Sequence, residues 1–207
     1  MNLVKRQELF LNPTRQYRGK PFWSWNGKLE EQELLRQIDI IKEMGFGGYF
    51  MHSRTGLETE YLGEEWFTLI NKCAEYGDQK GMESWLYDED RWPSGSAGGM
   101  VTREEKYRAM FMEMLCIGEE ELEELQWDKS IAAVFACRLK DGIYCDKRLL
   151  KKGEILLSEE TAVVFRLRYS ACNDNYNGYC YLDTMNKEAV QRYIEVTHEK
   201  YNEKSGD

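Results

Sequence analysis

The first ninety residues alternate between short apolar runs and segments with helical spacing. The apolar and aromatic runs at 21–26, 46–54 and 82–90 predict strands, because strands covered on both faces are apolar throughout. The two segments between them repeat apolar residues every three or four positions, which predicts helices. These residues are Leu34, Ile38 and Ile41 in the first segment, and Trp66, Leu69, Ile70 and Cys73 in the second. Strand–helix repeats of this length are typical of parallel βαβ crossovers.

The pattern changes after about residue 110. Short β-prone runs separated by turns fill 111–177 and predict an antiparallel insertion. Residues 178–186 regain strand character and end polar at Asp183, and an amphipathic helix with Asn186 as its N-cap follows. The predicted organisation is an irregular lead-in (1–20), a parallel α/β part (21–110), the insertion (111–177) and a fourth strand–helix unit (178–207).

Composition and charge narrow the functional classes. Hydrophobic residues make up 42% and charged residues 31% of the 207 positions, which indicates a globular protein. The net charge of −9 argues against a nucleic-acid surface, which needs clustered basic residues. No apolar run approaches the ~20 residues of a membrane span. Six cysteines without a CxxC pair favour reduced thiols in a cytoplasmic protein over disulfides.

Each predicted parallel strand finishes in polar or amphipathic residues at its carboxyl end, where loops of α/β folds build ligand sites. They are Trp25 and Asn26, then His52, Ser53 and Arg54, then Asp88, Glu89 and Asp90, and finally Asp183. Carboxylates beside tryptophans suit carbohydrates, whose hydroxyls need charged acceptors and whose C–H faces pack on aromatic rings. Glycoside cleavage generally uses two carboxyl groups, one protonated and one ionised. Mutual repulsion among three adjacent acids, tuned by Arg91, is one way to separate their pKa values.

Structural interpretations of the same residues stay open. Side chains alternate along a strand, so Asp88 and Asp90 are expected on one side and Glu89 on the other. Any one of the three acids could instead cap a helix or a turn, and His52 could be a buried core histidine. Trp66 and Trp85 are better explained as core residues than as site residues.

Four long segments resemble a known family. "PFWSWNGKL", "EMGFGGYFMHSRTGLETEYLGEEWF", "GMESWLYDEDRWPSGSAGG" and "YLDTMNKEAVQRYIEVTHEKY" resemble, in this order, the amino-terminal part of a glycoside hydrolase-like (β/α)-barrel family. Its relatives include the α-L-rhamnosidases of glycoside hydrolase family 106. The resemblance implies a partial (β/α)8 TIM-type barrel of about four strand–helix units, interrupted after the third strand by the antiparallel β-rich insertion.

The resemblance also implies a site. The candidate catalytic residues are Asp88, Glu89 and Asp90, and the candidate sugar-binding residues are Trp25, Asn26, His52, Arg54, Trp92 and Asp183. Relatives continue into strands that carry a "TDEP"-like motif with a candidate catalytic glutamate, which this sequence does not match. We therefore expect an amino-terminal fragment of a glycoside hydrolase that supplies part of the sugar pocket and is incomplete for catalysis alone. Family rhamnosidases are associated with calcium, but no ligands for it can be placed on this chain.

Two other hypotheses compete with this one. The chain could be a non-catalytic carbohydrate-binding or interaction module, dimeric through exposed sheet edges. Under either of these first two hypotheses the expected partners are a carbohydrate and either the missing barrel half or a second copy of the chain, with no nucleic acid and no membrane. A flavodoxin-like open sheet is a weaker alternative, because no glycine-rich phosphate loop follows the first strand.

Overall fold

The structure, a computed structural model, describes residues 3–176 and 178–206. The chain divides into two compact units. The first unit comprises Met1–Arg108 and Ala171–Asp207, and the second comprises Ala109–Ser170. The elements of the first unit are α1 (Leu3–Leu11), β1 (Phe22–Gly27), α2 (Glu31–Glu43), β2 (Gly48–Leu57), α3 (Glu64–Gln79), β3 (Glu83–Asp90), α5 (Lys187–Ile194) and α6 (Lys200–Ser205). Those of the second are β4 (Met110–Ile117), α4 (Glu119–Glu123), β5 (Ile131–Lys140), β6 (Ile143–Leu149) and β7 (Thr161–Tyr169).

The first unit is built on a parallel sheet of three strands in the order β1-β2-β3. The register places Phe22 beside Phe50 and Phe50 beside Trp85, so one face of the sheet carries a row of aromatic rings. Trp85 is 45% exposed in this row, so its assignment to the core is wrong. The opposite face is the one that packs against the helices.

The core of the first unit lies between the sheet and its helices. The strands contribute alternate residues, because successive side chains point to opposite faces. The strand residues of this core are Trp23, Trp25, Tyr49 and Met51. The helices contribute the apolar stripes that the sequence predicts, which are Leu34, Ile38 and Ile41 of α2 and Trp66, Leu69, Ile70 and Cys73 of α3. The three predicted strands and the two helices between them are therefore confirmed.

The carboxyl-terminal helical segment closes this core. Asn186 caps α5, since its side-chain oxygen accepts hydrogen bonds from the backbone N–H groups of Glu188 and Ala189. A π-helical turn, Glu195–Glu199, joins α5 to α6. Tyr201 of α6 is buried, and the Trp66 indole N–H donates to its hydroxyl at 3.0 Å. The segment is thereby anchored to α3 by packing and by a buried hydrogen bond.

The predicted partial (β/α)8 barrel is wrong. A fourth strand–helix unit would need a strand from 178–186 paired with the sheet, but these residues form only isolated bridges, Arg108 with Leu182 and Asn173 with Tyr179. The parallel sheet of the described residues thus ends at β3, and the other four strands form a separate antiparallel sheet. The fold is α/β, with strand–helix alternation limited to three strands.

The amino-terminal segment also differs from its prediction. Residues 1–20 were expected to be irregular because they are polar and include Pro13. The described part contains α1 and a short 3-10 turn, Arg15–Tyr17. Pro13 follows the helix, where a residue without a backbone N–H is tolerated.

The second unit is an antiparallel sheet in the order β4-β7-β5-β6. Its core contains buried aliphatic residues from β5 and β7, including Val134, Ala136 and Val164, together with Leu122 of α4. The Ser170 backbone N–H donates to the Ala109 carbonyl at 2.8 Å, so the two ends of this unit lie side by side. No helix of 3–176 or 178–206 is long and apolar enough to cross a bilayer.

Candidate functional site

The three consecutive acids at the end of β3 have three different environments. Glu89 and Asp90 are buried, and Asp88 has a side chain that is 43% exposed. Glu89 contacts His52 of β2, Asp90 contacts Ser53 of β2, and Asp88 contacts residues after β3 and in the carboxyl-terminal helical segment. Each acid therefore has its own set of neighbours, although the three are adjacent in sequence.

An irregularity in the β2–β3 pairing produces this arrangement. Met51 is paired with Leu86 and Ser53 with Asp90, so one residue of β2 lies opposite three of β3. A bulge of this kind adds residues to one strand and redirects their side chains. As a result Tyr87 and Glu89 both reach His52, with the Tyr87 ring 4.2 Å from the imidazole centroid.

His52 is fully buried between aromatic rings. Its imidazole lies 4.3 Å from the Phe22 ring and at right angles to the Tyr87 ring. The Nε2 atom is 3.0 Å from Glu89 Oε1, and because a carboxylate accepts, the imidazole proton belongs on Nε2. Burial lowers the pKa of His52 below its usual value of 6.5, and the nearby Glu89 carboxylate partly opposes this shift. The pair is therefore a neutral imidazole that donates to a carboxylate.

The Asp90 carboxylate has three close neighbours, which are Ser53, Arg91 and Gly98. The Ser53 hydroxyl donates a short hydrogen bond to its Oδ1, and Arg91 Nε lies 3.5 Å from the same oxygen. Gly98 approaches from the following loop with a φ of +61°, and a Cβ on this residue would lie 3.1 Å from Asp90 Oδ2. The position accordingly suits a residue without a side chain, in both its backbone conformation and the space available.

Asp88 connects β3 to its neighbours in the first unit. The Ser94 hydroxyl lies 3.0 Å from Asp88 Oδ1 and 3.1 Å from Glu89 Oε2, so it bridges the two carboxylates. The Tyr193 hydroxyl donates to the Asp88 carbonyl at 2.8 Å, and His198 Nε2 lies 3.6 Å from its Oδ2. Asp88 is thus the most accessible of the three acids.

A polar cleft of about 310 Å³ opens beside Asp90. Its charged lining consists of three carboxylates and two guanidinium groups, which belong to Glu58, Glu60, Asp90, Arg91 and Arg103. The apolar lining includes Leu57 and Met100. Its volume lies at the lower end of small-molecule sites, and the charges offer both donors and acceptors. The cleft can therefore hold one small hydroxylated molecule.

Trp92, the residue after Arg91, forms an aromatic cluster with Tyr176 and Tyr181. The Trp92 ring lies 5.0 Å from Tyr176 and 5.2 Å from Tyr181, and the two tyrosine rings lie 5.0 Å apart. Trp92 is 46% exposed, so part of its indole is accessible to a solute. Edge and tilted contacts of this kind hold the rings in place.

The remaining predicted site residues are spread over the first unit, with Arg54 near His52 because both contact the Phe22 ring. Trp25 is 1% exposed and packs in the core against Trp23 and Trp66, at the wall of a small cleft that it shares with Asn26. This cleft has a volume of about 150 Å³ and lies between β1 and α2. Arg54 is exposed, with its guanidinium 5.8 Å from the Phe22 ring. The Asp183 carboxylate accepts from the backbone N–H of Met185, so it stabilises a local turn.

Sequence reasoning missed several residues that complete the arrangement. Ser94 bridges two acids, Tyr193 binds the Asp88 carbonyl, and Tyr176 and Tyr181 support Trp92. None of them ends a parallel strand, the position that marks the other candidate residues. A serine directly after "RWP" and an amphipathic helix with an inward tyrosine were visible in the sequence, but their partners were not.

The described residues place no ligand set for the calcium with which the family resemblance is associated. Among them no group of three or more His, Cys, Asp or Glu side chains is arranged to hold a metal ion. Several acids of the site are instead engaged with Ser, His and Arg partners. We therefore assign no step to a metal.

Comparisons with known proteins give little beyond this geometry. No protein-family model matches the chain, and no curated protein matches it. Among solved structures, the chain is similar to a rhamnosidase from Novosphingobium sp. PP1Y, with 12% sequence identity and a TM-score of 0.44. The match covers 70% of this chain and 17% of the rhamnosidase chain. This is a loose likeness, which does not place the chain in glycoside hydrolase family 106.

Proposed function

We propose that the first unit binds a saccharide, as part of a protein related to glycoside hydrolases. The observation that carries the proposal is the polar cleft with Asp90 and Arg91 at its wall, followed directly in the chain by the half-exposed Trp92. Carboxylate and guanidinium groups hydrogen-bond to sugar hydroxyls, and an indole face packs on the C–H face of a pyranose ring. The sequence resemblance to glycoside hydrolases supports the same ligand class.

The proposal assigns binding, and not hydrolysis, to this chain by itself. Glycoside cleavage generally needs two carboxyl groups on opposite sides of the bond, and one of them must deliver a proton. Glu89 is turned inward to His52 and Ser94, and Asp90 is engaged with Ser53 and Arg91. These contacts suit residues that hold the site in shape and accept hydrogen bonds from a ligand.

The direct test is titration calorimetry of the whole chain with a panel of neutral monosaccharides that includes L-rhamnose. Replacing Trp92 with alanine should weaken binding about tenfold, since a stacking contact contributes on the order of 1 kcal/mol. Trp85→Ala is the matched control, because Trp85 is equally exposed but lies outside the aromatic cluster. Equal losses in both variants, or no binding of any sugar at millimolar concentration, would overturn the proposal.

Hydrolysis is tested separately with an aryl α-L-rhamnoside. The wild-type chain should release no aryl alcohol above the buffer rate. If it does, and if Asp88→Asn abolishes the release, the chain is a complete catalyst and the binding-only assignment is wrong. Release that survives Asp88→Asn would still refute that assignment and would remove Asp88 from the chemistry.

An interaction module is the second candidate. Within the described residues β1 and β3 are the edges of the parallel sheet, and the exposed apolar side chains there include Phe22, Trp85 and Leu86. Open edges and apolar patches favour pairing with another copy of the chain. Light scattering over a range of concentrations tests this function, and a monomer at every concentration would exclude a dimer.

A further inference from the structure

Cys172 and Cys180 lie opposite each other across a short antiparallel bridge. Asn173 and Tyr179 form this bridge, and the Asn173 N–H donates to the Tyr179 carbonyl at 3.0 Å. The bridge is isolated, Cys172 precedes its first residue and Cys180 follows its second, and the two thiols are close enough for a hydrogen bond between them. In a regular antiparallel pair, the residues next to a hydrogen-bonded pair have Cα atoms about 4.5 Å apart and side chains on the same side. A disulfide spans this distance.

The two thiols differ in accessibility. Both cysteines are free, with Cys172 exposed and Cys180 buried. Burial, followed by the adjacent Cys172 thiol, raises the pKa of Cys180 to about 11. Cys172 is therefore the thiol that a dissolved reagent meets first, and Cys180 is the neighbour that reacts second.

The other four cysteines do not face one another across a bridge. Cys145 of β6 is paired with Arg138 of β5, and its thiol donates to the Arg138 carbonyl at 3.2 Å. Cys73 is buried in the core of the first unit. Cys116 of β4 and Cys137 of β5 are both paired with β7, at Val163 and Thr161. One strand therefore separates them, and two strand spacings of about 4.8 Å exceed the reach of a disulfide.

We propose that Cys172 and Cys180 form a redox-active pair that closes to an intrachain disulfide on reaction with a low-molecular-weight disulfide. The Cys172 thiolate attacks one sulfur of the reagent, and the first reagent thiolate leaves. The Cys180 thiolate then attacks the Cys172 sulfur of this mixed disulfide and displaces the second reagent thiolate. The protein loses two protons and two electrons, and the reagent is reduced to two thiols.

The disulfide would restrain the aromatic cluster of Trp92, Tyr176 and Tyr181. Tyr176 lies between the two cysteines in sequence, Tyr181 follows the second, and both contact Trp92. Closing the loop between residues 172 and 180 restricts the unfolded chain and keeps these tyrosines near Trp92. The pair does not depend on saccharide binding, so either proposal can fail without the other.

The test begins with incubation of the whole chain with oxidised glutathione. After an acid quench, the protein is denatured, alkylated and digested for mass spectrometry. We expect four of the six cysteines to be alkylated, and Cys172 to be found cross-linked to Cys180. Alkylation of all six, or cross-links that involve other cysteines instead, would overturn the proposal.

Single variants separate the two chemical steps. Cys180→Ser should stop at a glutathione adduct on Cys172, whereas Cys172→Ser should leave Cys180 alkylated and without glutathione. Cys116→Ser is the control, because Cys116 is exposed on the second unit and its loss should leave the cross-link intact. Glutathione retained on Cys172 of the wild type would show that Cys180 does not resolve the adduct, and would refute the pairing.

Thermal unfolding gives an independent measurement. A disulfide across this short loop should raise the melting temperature of the oxidised wild type by roughly 5 °C, and Cys172→Ser should show no such rise. An oxidised wild type that melts at the temperature of the reduced protein would contradict a native pairing.

Discussion

Glu89 Oε1 and His52 Nε2 lie 3.0 Å apart, and neither side chain has appreciable contact with solvent. The two residues come from neighbouring parallel strands and are brought together by the bulge in β3. The pair is a polar contact inside an otherwise aromatic environment, formed by Phe22 and Tyr87. A buried hydrogen bond of this kind ties the middle of β2 to the carboxyl end of β3 and so shapes the site.

Removal of the Glu89 carboxylate should destabilise the first unit. Glu89→Ala leaves the His52 Nε2–H without its acceptor and takes one acceptor from Ser94, and an unsatisfied buried polar group costs about 1–3 kcal/mol. Urea unfolding followed by tryptophan fluorescence measures this loss, since five of the six tryptophans lie in the first unit. Glu43→Ala is the control, because Glu43 is exposed at the end of α2. A similar small effect of both substitutions would show that the buried pair adds no stability.

The free energy of unfolding should fall as the pH drops through about 6.5. Burial lowers the pKa of His52 in the folded protein, so the unfolded chain binds this proton at a higher pH than the folded chain does. The stabilisation is complete above the unfolded pKa and is lost on acidification, until the folded imidazole also becomes protonated. Denaturant unfolding from pH ~8 to ~5 measures the slope. His52→Gln should show a shallower decline, and an equal decline in both proteins would assign it to other groups.

A methyl group at Gly98 should disturb Asp90. Gly98 has a φ of +61°, and a Cβ there would meet the Asp90 carboxylate at 3.1 Å. Gly98→Ala combines backbone strain with this contact and should cost about 1–2 kcal/mol. Gly81→Ala is a matched control, since Gly81 has a φ of +69° with open space around it, and it should show the strain alone. The difference between the two variants in the free energy of unfolding, measured in urea, gives the cost of the contact with Asp90. Equal free energies would mean that Asp90 moves aside freely.

Sequence patterns predicted the parallel strands and their crossover helices, because these elements are specified locally. Leu34, Ile38 and Ile41 lie on one face of α2 as their spacing requires, and Asn186 caps α5 as its position before an amphipathic run suggests. Residues 178–186 do not form the predicted fourth strand, and the reason is non-local. These residues have strand-like composition, but a strand forms only where a neighbouring strand supplies hydrogen bonds along its length. Local sequence patterns do not identify which strand that neighbour would be.

The candidate site shows the same difference between features that are specified locally and features that depend on non-local contacts. Strand-end position selected Asp88, Glu89, Asp90 and His52. In the structure the three acids end β3, whereas His52 lies in the middle of β2, which continues to Leu57. The expectation that Asp88 and Asp90 lie on one side of the strand and Glu89 on the other rests on regular alternation, which the bulge interrupts. Trp25 illustrates a second limit, because strand-end position alone does not tell which face of a terminal residue is covered by helices.

The hydrogen bond between Ser170 and Ala109 has a consequence for the architecture of the gene product. Because the antiparallel unit starts and finishes at adjacent residues, the chain leaves and re-enters the first unit through what is effectively one attachment point. Such a unit behaves as a cassette, which can be exchanged for a tight turn or for another domain with closely spaced termini. The first unit, with its acidic cluster and its cysteine pair, is then a host that accepts an insertion without rebuilding its own core.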